Sequence, residues 1–106
     1  MNQVQSAVLE AVAEAAKATE DFLAKHGDRD CCGFAWVSVS EKGSTKMGKA
    51  LLKAGFSKGY SGGLQMWNPS GNHTQCITAK EVGAEAAARV LTARLGVTAY
   101  ASSRMD

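Results

Sequence analysis

The residues with chemical capacity cluster in the middle of the chain. Residues 58–75 read Lys-Gly-Tyr-Ser-Gly-Gly-Leu-Gln-Met-Trp-Asn-Pro-Ser-Gly-Asn-His-Thr-Gln, mixing glycines and aromatics with polar side chains that donate and accept. This is the composition of a pocket rim that hydrogen-bonds a polar ligand and stacks one ring. Trp67 is the stacking candidate, and Asn68 and His73 can read polar edges. His73 is the general acid–base candidate of the region, but no Ser–His–Asp, Cys–His or paired-carboxylate set can be placed beside it. The plainer reading of the segment is a hairpin whose glycines satisfy turns.

Upstream, Lys46, Lys49 and Lys53 recur at helical spacing, with Lys42 and Lys58 nearby. A solvated lysine face is the default for such a pattern, and phosphate binding is the alternative. Residues 43–49, Gly-Ser-Thr-Lys-Met-Gly-Lys, fit G-x-x-x-x-G-K, but Ala50 stands where a phosphate-binding loop needs a hydroxyl for Mg²⁺. What survives is a helix N-terminus with basic neighbours that suits an anion. Arg104 is a further phosphate candidate because a guanidinium pairs with it in two-pronged fashion. The three cysteines, Cys31, Cys32 and Cys76, form no disulfide framework and lack metal-ligand spacing, so reduced thiols and no metal or cofactor are expected.

These residues need elements to position them. Val4, Val8, Val12, Ala15, Thr19 and Phe22 recur every three or four residues, which predicts a helix over 3–26 ending at Gly27. Alternation predicts a strand over 33–40, with Ala35, Val37 and Val39 on one face and Phe34, Trp36 and Ser38 on the other. A short helix capped by Ser44 follows, then strands at 56–60 and 64–68 joined by a glycine turn. Asn68-Pro69-Ser70-Gly71 matches a type I turn. Thr78 and Glu81 form a capping box opening a helix to Gly96, and a strand over 97–101 precedes a tail.

The pattern is α+β: an N-terminal helix followed by a βαββαβ unit over 33–101, with strand order 4-1-3-2 as in a ferredoxin-like (split β-α-β) two-layer sandwich. The second sheet face would carry Phe34, Trp36, Trp67 and Tyr100, a stacking platform for bases unless the first helix covers it. Covering is the expectation, because that helix has an apolar stripe to bury.

At 106 residues the chain makes a single domain, 1–106, too short for a barrel or two-domain enzyme. Apolar residues at 45% supply a core, and charged residues at 21% exclude an acidic disordered chain. A net charge of +2 is too small to argue for duplex DNA on its own. No apolar run approaches a membrane span, and residues 1–26 do not read as a signal or transit peptide, so a cytoplasmic protein is expected.

The stretches Lys-Gly-Ser-Thr-Lys-Met-Gly-Lys at 42–49, Trp-Asn-Pro-Ser at 67–70, Ala-Lys-Glu at 79–81 and Tyr-Ala-Ser-Ser-Arg-Met-Asp at 100–106 are similar to small bacteriophage accessory proteins that carry no named activity. The resemblance covers about residues 26–106 and transfers no site residue. It implies action in the host cytoplasm, and one such class, an anti-defence class, sequesters host immune nucleotide signals.

The leading expectation is a non-enzymatic, homo-oligomeric binder of a phosphate-bearing small molecule, a nucleotide, using Lys46, Lys49, Lys58, Trp67, Asn68, His73 and Arg104. The alternatives are a single-stranded nucleic-acid module working through the aromatic face and a small phosphodiesterase or nuclease relying on His73. Residues 3–26 are expected to bury the Val4–Val8–Val12–Phe22 stripe partly against a second copy.

Overall fold

The computed structural model describes residues 2–28, 32–59 and 62–105. They form α1 (Gln3–His26), β1 (Gly33–Val39), α2 (Lys46–Lys53), β2 (Ser57–Lys58), β3 (Leu64–Trp67), α3 (Ile77–Leu95) and β4 (Ala99–Met105). The architecture is α+β, with one antiparallel sheet in the order β2-β3-β1-β4, so β1 and β3 are central. No helix among the described residues is long and apolar enough to cross a membrane.

The first helix occupies the span its periodicity predicts. Asn2 starts it: its Oδ1 accepts the Gln5 N–H at 2.8 Å, and its own N–H donates to Gln5 Oε1 at 3.3 Å. Gly27, at φ +77°, ends it.

Its location corrects the expectation from sequence. α1 does not cover the aromatic face; it packs along α3, on the side where α2 and α3 already sit. The reason is matched small residues. Ala7, Ala11 and Ala15 are buried on α1, and Gly83, Ala84 and Ala87 are buried on α3. The helices come so close that a Cβ at Gly83 would lie 2.5 Å from Thr19 Oγ1 and 3.1 Å from the Ala15 carbonyl. Thr19 is itself fully buried, and its hydroxyl donates to the Ala79 carbonyl at 2.7 Å. Val8, expected partly between copies, is 4% exposed inside its own core with Val37, Leu51 and Leu91.

Four local expectations are also revised. Thr45 rather than Ser44 caps α2, its Oγ1 accepting the Gly48 N–H at 3.0 Å. Cys76 rather than Thr78 caps α3, because Asp28 holds the Cys76 N–H at 3.1 Å and Cys76 pairs through its backbone with Cys32, fixing the helix start two residues early. β2 shrinks to Ser57–Lys58 because Phe56 turns into the core; Tyr60 of the predicted strand lies outside the described residues. The expected tail is strand: β4 runs to Met105, paired along all of β1. The turn at 68–71 is closed as expected by the Gly71 N–H to the Asn68 carbonyl at 2.9 Å.

Candidate functional site

With every described helix on one side, alternate strand residues face outward with no described helix packed over them. Along β1, odd positions are buried in the core while Phe34, Trp36 and Ser38 are wholly or partly exposed. Register sets Trp36 between Trp67 of β3 and Ser102 of β4, and Phe34 opposite Arg104. The rings meet as the register requires. Trp36 and Trp67 lie 4.6 Å apart between centroids at 35°, and Phe34 meets Trp67 edge-on at 6.1 Å. Phe34 (39%), Trp67 (46%) and Tyr100 (48%) are among the most exposed large apolar side chains of the molecule.

Two cations flank the cluster. Arg104 sits 5.8 Å from the Phe34 ring centre and the Lys80 ammonium 5.6 Å from it. Lys80 reaches round from α3 and donates to the Gly33 carbonyl at 3.0 Å, leaving further N–H donors on its ammonium. At the opposite end of the face, beside Tyr100, Ser38 and Gln65, a cleft of about 250 Å³ opens between the β1–α2 loop and the β2–β3 connection.

The seven residues singled out from sequence do not converge. Trp67 and Arg104 share the open face at one end of the sheet. Lys46 and Lys49 are exposed on α2, on the far side, and Lys58 is exposed on the edge strand β2. The α2 start is built for packing. Its Gly48 N–H is taken by Thr45, and a Cβ at Gly48 would lie 1.9 Å from the Lys42 carbonyl oxygen. That glycine lets the loop cross the helix, which explains the apparent phosphate-loop spacing.

Asn68 is committed to its own turn: its Nδ2 donates to the Asn72 carbonyl at 2.9 Å, its Oδ1 accepts from Ser70 Oγ at 3.1 Å, and its backbone takes the left-handed conformation at φ +43°. His73 lies exposed in the loop that follows. Sequence reasoning missed Lys80, which is hidden in a helical alanine pattern and whose approach to Phe34 exists only in three dimensions.

No protein-family model, no curated protein and no solved structure matches the chain.

Proposed function

We propose that the chain is a non-enzymatic binder of single-stranded nucleic acid that stacks bases on the open sheet face. One observation carries the reading: Phe34, Trp36 and Trp67 form a contiguous ring cluster that the protein leaves part exposed, with Arg104 and Lys80 at its edge. Exposed aromatics on a sheet give bases a sequence-tolerant stacking surface, and the cations meet phosphates. A free nucleotide uses the same chemistry but is normally held in a concave site that buries most of it. An open sheet surface suits an extended strand better. The strand order and antiparallel pairing support a ferredoxin-like arrangement with one added helix.

The test is fluorescence titration of the tryptophans with a short oligonucleotide across a salt series. If Arg104 and Lys80 each touch one phosphate, log K should fall with log salt at a slope of about −1.4, from about 0.7 per single-strand contact. Trp67→Ala should weaken binding by about 1–3 kcal/mol. Mononucleotides that bind as tightly as the oligonucleotide would move the reading to a small-ligand binder, and no quenching by either would end it.

A further inference from the structure

We propose that the free edge of β4 is a homodimer interface, in which two copies pair antiparallel about a two-fold axis at Ser102 and join their sheets into one. The Ser40 N–H donates to the Thr98 carbonyl. With the β1–β4 register this directs the backbone groups of Tyr100, Ser102 and Arg104 toward β1, and those of Ala99, Ala101, Ser103 and Met105 outward. The outward edge is seven residues long, contains no proline, and has no neighbouring strand among the described residues. Such an edge is a template for another strand unless something blunts it.

The occupant is argued from self-complementarity. Centring the pair on Ser102 aligns the whole strand, Ala99 with Met105 of the second copy and Ala101 with its Ser103. These are the residues with outward backbone groups, so each pair exchanges two hydrogen bonds.

On the helix side, Met105 is 64% exposed, the most exposed large apolar residue of the described chain. The residue it meets in the second copy, Ala99, borders a cavity of about 310 Å³ lined with Ala88, Arg89, Thr92 and Ala93, almost wholly by apolar atoms. Each copy thus offers one apolar knob and one apolar hollow at the matching place. On the open side, Tyr100 meets Arg104 of the second copy, an aromatic beside a guanidinium, and no like charges face each other. The two aromatic faces then lie side by side on one continuous sheet. The interface does not depend on what that face binds, and its test uses no ligand.

The test is the oligomeric state of the full chain by light scattering at tens of micromolar, together with crosslinking. Wild type should weigh twice the 11.1 kDa chain. Ala101→Pro removes an outward donor that β1 does not use, so it should run as a monomer with an unchanged circular dichroism spectrum. Met105→Glu, at an exposed position, should also shift the equilibrium to monomer and covers the case in which the proline variant misfolds.

Ser102→Cys, in a Cys31→Ser, Cys32→Ser background, should form a disulfide-linked dimer on mild oxidation. An antiparallel pair of this type sets its Cα atoms about 4.5 Å apart, inside the disulfide range of about 4.4–6.8 Å. A monomeric wild type overturns the proposal. So does a dimer that survives both edge variants and leaves the Ser102→Cys variant uncrosslinked.

Discussion

The two faces of the sheet are made by the same strands, one residue out of step, and differ in almost everything else. On the helix side, Ala35, Val37, Val39 and Leu64 are at most 1% exposed. They lie beneath three helices whose own contacts are mostly alanine, glycine and leucine. On the other side stand large aromatics with no described helix over them, edged by Arg104 and Lys80. The closed face is small and tightly fitted; the open face is large and polar-tipped. Rings that served only stability would be expected under α1, where the apolar stripe could have covered them. The small-residue match with α3 drew that helix to the other side.

The sharpest way to break this contrast is to place a charge in the core between the closed face and the helices over it. Val8→Asp should cost about 3–5 kcal/mol, the scale for an unpaired buried charge. Urea denaturation followed by circular dichroism should show an unfolded or barely stable chain, rather than a folded, dissociated one.

Gly83→Val tests the helix–helix fit. The added atoms have no room beside Thr19, and overpacking of this kind costs about 1–3 kcal/mol in the same assay.

Trp67→Ala tests the open face and should reverse the balance. At 46% exposed, the ring should contribute less to stability than a core side chain, so the midpoint in urea should move little while affinity for an oligonucleotide falls about 5- to 150-fold.

Smallest of all is Arg94→Gln. Its ion pair with Glu10 joins α3 to α1 but is at least one-third exposed at both ends, and such pairs contribute about 0–1 kcal/mol. Thermal melts of the variant and wild type at low and high salt should nearly coincide.

How much of this is legible in the chain varies with the kind of force involved. The facing of β1 and the span of α1 follow from periods of two and three to four, which are local, and these periods suffice to place the aromatics on one face. The docking of α1 is not legible, because an apolar stripe says only that a helix is buried somewhere. The choice of α3 depends on how closely two backbones can approach at Gly83 and Ala15. The length of β4 is hidden because Ser102, Ser103 and Arg104 have the composition of a frayed end. Pairing with β1 supplies what their propensity lacks. Of the candidate site, Trp67 and Arg104 share a surface. Lys46 and Lys49 look adjacent to it only along the chain and lie across the sheet, and the side chain of Asn68 holds its own turn.

The most direct test of the central claim is a nitrogen–proton correlation spectrum of the protein, recorded while a short single-stranded oligonucleotide is added. Binding on the open face predicts that the indole N–H signals of Trp36 and Trp67 and the amides of Phe34, Tyr100 and Arg104 shift together and saturate, while those of Val8, Ala11 and Ala15 on α1 stay fixed. Shifts confined to the lysines of α2, or no shift of either indole at saturation, would contradict it.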